Sequence, residues 1–201
     1  MALNPRKFHA MAVTDTCSVW NLLSSQTLFK SACNAKLHFC ITPMVLYECL
    51  HKPRQTVTQE AAELINRLKA ARANGLFPIQ ACDLNDLLQV SRSAPVKLGS
   101  GELSCIAIAY KITTMAFMSD DRRACKFAED VLRLVVETTP RLYAWLHYCR
   151  HLTDSNHSDV IAEHEKHERR PLTRFLNEAY ELALQHRLMS AGGGSTASTS
   201  S

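Results

Sequence analysis

Short apolar runs alternate with stretches of helical periodicity along most of the chain. The runs predict buried strands at residues 11–14, 37–41, 76–82 and 114–119, with a shorter fifth strand at 133–137. Helical patterns lie between them, at residues 18–29, 61–71, 83–91 and 122–132. This alternation predicts an α/β fold with a central, mainly parallel sheet of four to five strands and right-handed crossovers.

Capping signals mark where several of these helices begin. Thr42 followed by Pro43 predicts a capping threonine with proline at the first helical position. Thr56 with Gln59 three residues later matches a capping box and predicts the start of the next helix. Ser100 is a candidate cap for a later helix that carries an acidic residue in its first turn.

The pattern after the fifth predicted strand is entirely helical, at residues 141–152, 158–169 and 172–189. The last helix is amphipathic, and its apolar face is expected to pack on the domain or on a partner. We therefore divide the chain into a domain at residues 1–150, a helical extension at 151–190 and a flexible tail at 191–201. The low-complexity tail is either natural or introduced with the expression vector.

The composition is that of an ordinary globular protein. The 201 residues are 46% hydrophobic and 21% charged, and the formal net charge of +4 permits a polyanionic partner without requiring one. The eight cysteines form no C-x-x-C pair, so we expect them to be small buried side chains in a reducing compartment. Without a signal peptide or a long apolar stretch, the chain is expected to be cytoplasmic, with no membrane association.

Acidic residues recur where the predicted strands end and where neighbouring helices begin. Asp15, Asp120 and Asp121 follow strands, whereas Glu48 and Glu102 lie in helices beside them. Because the carboxyl ends of parallel strands meet at one edge of a sheet, we expect these side chains to lie close together. We favour Asp120 as a ligand that faces the crevice and Asp121 as a helix cap, since neighbouring side chains point in opposite directions.

Each acid also has a simpler interpretation, since an Asp between a strand and a helix is often a cap and a helical Glu is often a surface residue. Clustered carboxylates with no lysine or arginine in their motifs repel one another unless a cation lies between them. Oxygen ligands of this kind favour Mg²⁺ or Mn²⁺, which suits hydrolysis of a phosphodiester. The histidines at 157, 164 and 167 are expected on a polar helix face, because no acid or cysteine completes a metal-ligand spacing.

The acids lie in four short motifs, in the order V-T-D-T, T-P-M-V-L-Y-E, L-G-S-G-E-L-S-C-I-A-I-A and F-M-S-D-D-R-R-A. Together these motifs resemble the PIN domain, and within it the VapC-like nucleases, over residues 11–143. The resemblance implies a three-layer α/β/α fold with strand order 3-2-1-4-5. It also implies a metal-dependent endoribonuclease, often a toxin that a cognate antitoxin holds in check. The chain is separately expected to form a homodimer.

The resemblance also assigns roles to single residues. In the family, acidic side chains bind Mg²⁺ or Mn²⁺. The residues that match these acidic positions are Asp15, Glu48, Glu102 and Asp120, with Asp121 as the alternative for the last. Small hydroxyl positions that orient the acids match Thr16 and Ser119. Two features of this chain differ from VapC-like members. The third acidic residue is Glu102, where those members commonly have Asp, and the helices predicted after residue 152 lie outside the family core.

Three functions follow as hypotheses. The first is an Mg²⁺- or Mn²⁺-dependent ribonuclease, with Lys97, Arg122 and Arg123 as candidate phosphate contacts. The second is a PIN-fold regulatory or protein-binding module without activity, whose terminal helices recruit a partner. The third is a DNA-directed nuclease, which no residue in the sequence distinguishes from the first.

Overall fold

A four-stranded parallel sheet lies at the centre of the computed structural model, which describes residues 3–53, 56–167 and 172–192. The strands are β1 (Met11–Thr14), β2 (His38–Cys40), β3 (Ala116–Met118) and β4 (Val136–Glu137), in the order β2-β1-β3-β4. Central β1 pairs with β2 on one side and with β3 on the other, and every pairing is parallel. The predicted α/β class with a parallel sheet is therefore confirmed, whereas the tail beyond residue 192 lies outside the described residues.

Ten α-helices surround this sheet in the described part of the chain. They are α1 (Thr16–Ser24), α2 (Gln26–Asn34), α3 (Pro43–Leu50), α4 (Gln59–Ala73), α5 (Leu84–Ser91), α6 (Ser100–Lys111), α7 (Arg122–Lys126), α8 (Thr139–Tyr148), α9 (Asn156–His167) and α10 (Thr173–Gly192). A π-helical turn at Phe127–Val131 extends α7. Helix α6 packs against both β1 and β3, while α10 packs mainly on α8.

The predicted strand at residues 76–82 does not form. Phe77 has a φ of 51°, which is incompatible with extended backbone. The segment makes one parallel bridge between Ile79 and Ile41, with Ile41 N–H donating to the Pro78 carbonyl at 3.0 Å. The apolar run therefore lies beside β2 without extending the ladder.

The predicted helix at residues 18–29 is two helices. The chain breaks at Ser25, whose φ of −112° and ψ of 116° are extended. Its hydroxyl accepts a hydrogen bond from the Leu28 N–H at 3.1 Å and so caps α2. Serine competes for backbone hydrogen bonds in this way, and the apolar periodicity alone did not reveal the break.

Two of the predicted helix starts also need correction. Thr58, and not Thr56, caps α4 by accepting from the Ala61 N–H at 3.2 Å. Helix α6 begins at Ser100 itself, with Gly99 as the capping residue. The predicted start of α3 is confirmed, because Thr42 accepts from Val45 N–H and proline follows it.

The amphipathic face of α10 packs on the domain itself. Leu176, Ala179 and Ala183 are buried against the rest of the chain, whereas Phe175 remains half exposed. The structure thus accounts for most of the apolar face without a second copy. No helix in the described residues is both long enough and apolar enough to span a membrane.

The prediction that the α9 histidines form a polar face is wrong. His164 is 1% exposed, and its Nδ1 lies 2.6 Å from the Ser24 hydroxyl. His157 stacks on Tyr180 with ring centroids 4.1 Å apart. His164 points inward because α9 packs on α1 and α2, and His157 does so because α9 also packs on α10; a helical pattern by itself does not reveal these contacts.

The cysteine prediction is confirmed only in part. All eight cysteines are free thiols, and Cys40, Cys49 and Cys105 are buried as expected. Cys149 is exposed, because it follows the end of α8 at the surface.

A fully buried histidine, His147, lies on α8 and faces α10. Its ring packs edge-on against Tyr143 and Tyr180, with centroids 4.6 Å and 4.8 Å away. Neither ring nitrogen has a hydrogen-bond partner among the described residues. Burial lowers the pKa of His147 to about 4, and the neighbouring His157 contributes in the same direction.

This histidine should make the protein sensitive to acid. Because its pKa is about 4 when folded and 6.5 ordinarily, the unfolded chain binds the proton more tightly. The histidine's contribution to the free energy of unfolding should therefore decline as pH falls from about 6.5 towards 4, by up to about 3 kcal/mol. Urea unfolding at pH 7.5 and pH 5 should show a smaller acid loss in His147→Phe than in wild type. The exposed-site control His51→Gln should behave like wild type, and an unchanged loss in His147→Phe would contradict this role.

Candidate acidic active site

Asp15 lies directly after β1, at the carboxyl end of the central strand. Its N–H donates to the Met118 carbonyl at 3.1 Å, which places it beside the end of β3. The carboxylate is 1% exposed and accepts from the Ser119 hydroxyl at 2.6 Å and the Ser18 N–H at 2.9 Å. Asp15 therefore caps α1, which is the simpler of its two interpretations, and it also lies at the predicted edge of the sheet.

The charge of Asp15 is poorly compensated. Burial raises the pKa of its carboxyl to about 6, with a further rise from the negative charge of Asp120. Hydrogen bonds from Ser119 and Ser18 favour the charged form but do not offset the burial. Among the described residues, no lysine or arginine forms an ion pair with Asp15.

Asp120 is held rigidly by four hydrogen bonds from two other elements. From α1, the Asn21 amide donates at 2.7 Å and the Ser18 hydroxyl at 3.3 Å. From the start of α8, Thr139 donates with its N–H at 2.8 Å and with its hydroxyl at 2.5 Å. These donors fix the carboxylate next to Asp15, since Ser18 contacts both acids.

The neighbouring Asp121 has the capping role that the sequence predicts. Its carboxylate accepts from the N–H groups of Arg123 and Ala124, at 2.8 Å and 3.1 Å, and so begins α7. Its own N–H donates to the Ser119 hydroxyl at 3.0 Å. The two adjacent aspartates are thus divided between a helix cap and a position beside Asp15.

Glu48 on α3 joins this group through Thr16. The Thr16 hydroxyl donates to Glu48 Oε2 at 2.5 Å, while the Ser100 hydroxyl and the Gly101 N–H donate to Oε1, both at 3.0 Å. A Cβ on Gly101 would lie 2.5 Å from Glu48 Oε2, so any side chain there would displace the Glu48 carboxylate. Glu48 therefore connects the residue after Asp15 to the first turn of α6.

Glu102 has a structural role at the start of α6. Its carboxylate accepts from the Gly99 N–H at 2.9 Å and closes the start of α6. Burial raises its pKa, and the charges of Asp121 and Glu48 act in the same direction, although Gly99 and Arg123 oppose them. Glu102 is therefore electrostatically coupled to the other acids while its carboxylate is committed to the helix start.

The oxygen ligands of this cluster suit a metal ion, whereas the arrangement of the side chains does not form a complete binding site. Residues 3–53, 56–167 and 172–192 contain no group of three or more His, Cys, Asp or Glu side chains arranged to hold a metal ion. However, Mg²⁺ usually keeps several waters and binds through one or two carboxylates, so it needs no complete protein cage. The oxygen donors and the uncompensated charge of Asp15 fit a hydrated ion of this type.

No protein-family model, no curated protein and no solved structure matches this chain. The likeness to PIN domains therefore depends on the four motifs, and it remains a prediction.

The sequence did not identify the donors that hold Asp120. Ser18 and Asn21 lie three residues apart on α1, among the buried Val19, Leu22 and Leu23. Two polar residues at helical spacing on an otherwise apolar face predict that both contact one buried polar partner. Thr139 follows β4, so its position next to Asp120 could be expected only once the strand order was known.

The predicted basic contacts lie on the surface. Lys97, Arg122 and Arg123 are all exposed. Arg122 and Arg123 directly follow the capping Asp121, and Arg123 forms a long ion pair with it at 3.8 Å. Both arginines are therefore exposed at the start of α7, next to Asp121.

The burial of Asp15 predicts that the Asp15→Asn substitution stabilises the protein without metal. Because the folded pKa of about 6 exceeds the ordinary 3.8, ionisation of Asp15 destabilises the fold progressively as pH rises from about 3.8 to about 6, and the full loss is present above about 6. In EDTA at pH 7.5, urea unfolding of Asp15→Asn should show a gain of up to about 3 kcal/mol, which should largely disappear at pH 4.5. The control Asp159→Asn changes an exposed carboxylate on α9 and should have little effect. A less stable Asp15→Asn protein at pH 7.5 would show that the charge is well compensated.

Proposed function

We propose that this protein is a metal-dependent endoribonuclease with a PIN-like, three-layer α/β/α fold. The observation that carries the proposal is the buried Asp15 carboxylate beside Asp120, at the carboxyl ends of adjacent parallel strands. The sheet order also supports it, since β2-β1-β3-β4 corresponds to 2-1-4-5 of the order implied by the resemblance. The segment at Ile79 lies beside β2, where the third strand of that order would be.

Asp15, Asp120 and Glu48 would hold Mg²⁺ or Mn²⁺, with Glu102 adding negative charge nearby. When bound, such an ion lowers the pKa of a water molecule and stabilises the leaving oxygen of a phosphodiester. The protein's own polar groups keep the ligands in place, because Ser119 donates to Asp15 and Thr16 donates to Glu48. Preorganised carboxylates of this kind lose little side-chain entropy when a cation binds.

RNA is the proposed substrate because of the family resemblance, and the exposed Lys97, Arg122 and Arg123 are proposed to contact its phosphates. A toxin role with a cognate antitoxin has the same basis, and a homodimer is proposed separately.

A PIN-fold binding module without activity is the second candidate. It is favoured by the absence of a ready three-ligand group in the described residues. It is disfavoured by Asp15, because an asparagine would cap α1 equally well without placing a charge in the interior.

The first test is cleavage of a labelled structured RNA by wild type and by Asp15→Asn. Wild type should cleave with Mg²⁺ or Mn²⁺ and not with EDTA, and Asp15→Asn should lose at least a hundredfold in rate, because a ligand carboxylate is removed. Asp159→Asn should cleave like wild type. If wild type cuts only a matched single-stranded DNA, the DNA-directed alternative replaces this proposal, and inactivity on both favours the binding module.

Metal binding should also be visible without any substrate. An ion that binds only the folded state stabilises it by about 2.7 kcal/mol at a hundredfold excess over its Kd. Thermal unfolding at pH 7.5 should therefore show a higher Tm with Mg²⁺ in wild type and in Asp159→Asn, and a much smaller change in Asp15→Asn. Equal shifts in all three proteins would show that the ion binds elsewhere.

A further inference from the structure

A series of hydrogen bonds connects helix α9 to the acidic edge. His164 Nδ1 lies 2.6 Å from the Ser24 hydroxyl, which donates to the Asn21 carbonyl at 2.7 Å. The Asn21 side-chain amide in turn donates to Asp120 Oδ2 at 2.7 Å. We refer to these four residues as the His164 network. It runs from a helix of the C-terminal extension to one of the carboxylates proposed to bind the ion.

The direction of these hydrogen bonds follows from their chemistry. The Ser24 hydroxyl has one hydrogen and the Asn21 carbonyl can only accept, so His164 Nδ1 carries a hydrogen and donates to Ser24 Oγ. His164 Nε2 is then an acceptor, and it receives the Leu172 N–H at 3.3 Å. Both the His164 and the Ser24 side chains are buried, so water does not compete for these bonds.

The end of α1 depends on side chains from other helices. An α-helix supplies no N–H for its last four carbonyls, and in α1 the first of these four belongs to Asn21. The Ser24 hydroxyl satisfies it. Arg67 Nη1, from α4, donates to the carbonyls of Leu23 and Ser24, at 2.7 Å and 2.9 Å. The turn that carries Asn21 is therefore held from outside α1, by α4 and by His164.

We propose that His164 is a positioning residue for Asp120. It acts through Ser24, which closes the last turn of α1, and through the Asn21 amide on that turn. Asn21 is the closer of the two donors that α1 gives to Asp120, since the Ser18 hydroxyl lies 3.3 Å away. Loss of the His164 bond loosens this turn, and the amide then holds the carboxylate less tightly. The consequence for ion binding rests on the proposed function, whereas the positioning itself does not.

Three variants of the full chain test the proposal. His164→Leu removes the donor with little change in volume. His164→Asn keeps a donor, because an asparagine amide nitrogen is as many bonds from the backbone as Nδ1 of histidine. Val160→Ala is the matched control, since Val160 is a fully buried residue of α9 that is outside the His164 network. Urea unfolding measures how much each variant destabilises the fold.

The affinity for Mn²⁺, measured by calorimetry at pH 7.5, is the first readout. His164→Leu should bind Mn²⁺ about fivefold more weakly than wild type, which corresponds to about 1 kcal/mol, the net worth of one ordinary hydrogen bond. His164→Asn should recover most of this affinity, and Val160→Ala should bind like wild type. Equal affinity of wild type and His164→Leu would overturn the proposal. An equal loss in Val160→Ala would also overturn it, because any destabilisation of α9 would then have the same effect.

The Asn21 side-chain amide gives a second readout that needs no ion. Its NMR signals, assigned by their loss in Asn21→Ala, should shift further in His164→Leu than in Val160→Ala when both are recorded in EDTA. Absence of Mn²⁺ binding by wild type would overturn the proposed function alone. The amide signals would then decide the positioning role, and equal shifts in the two variants would overturn it.

Ser24→Ala covers the case in which His164→Leu fails to fold, which circular dichroism would show. It removes the central hydroxyl of the His164 network and little volume. Ser24→Ala should therefore weaken Mn²⁺ binding and shift the Asn21 amide signals in the same direction as His164→Leu. An unchanged Mn²⁺ affinity together with unchanged amide signals in Ser24→Ala would overturn the proposal.

Discussion

The arrangement of the candidate site depends on one buried carboxylate. Asp15 is almost fully withdrawn from water at the end of the central strand, and its burial raises its pKa to about 6. A charge in such a position destabilises the fold unless hydrogen bonds or a counter-charge compensate it. The structure supplies hydrogen bonds from Ser119 and Ser18 but no basic side chain in the described residues. This combination suits a residue whose compensating charge comes from a ligand.

The surrounding elements are tied together by the same group of acids. Asp120 links the end of β3 to α1 and to the start of α8, and Glu48 links α3 to α1 and to the start of α6. Each carboxylate thus receives donors from segments that are distant in sequence. The acidic edge exists only when the sheet has its observed order, so the site is a direct consequence of the parallel topology.

Much of this arrangement could be predicted from the sequence, because strand ends and helix starts have local signals. The positions of Asp15 and Asp120 after strands, and the capping role of Asp121, follow from apolar runs and capping preferences. Features decided by contacts between distant segments could not be predicted in this way. The break at Ser25 depends on capping that competes with an apolar pattern, and the inward orientation of His164 depends on the packing of α9 on α1. Residues 76–82 have the composition of a strand, but the positive φ of Phe77 prevents a continuous ladder.

The acids differ in how far structure alone explains them. Glu102 completes the start of α6 and Asp121 completes the start of α7, so each has a sufficient structural reason to be acidic. Asp15 caps α1, but a neutral asparagine would meet that need without the energetic cost of a buried charge. Asp120 lies beside Asp15, which increases the repulsion instead of relieving it. Asp15 is therefore the acid that is hardest to justify by stability alone, and proteins commonly retain such destabilising groups where function requires them.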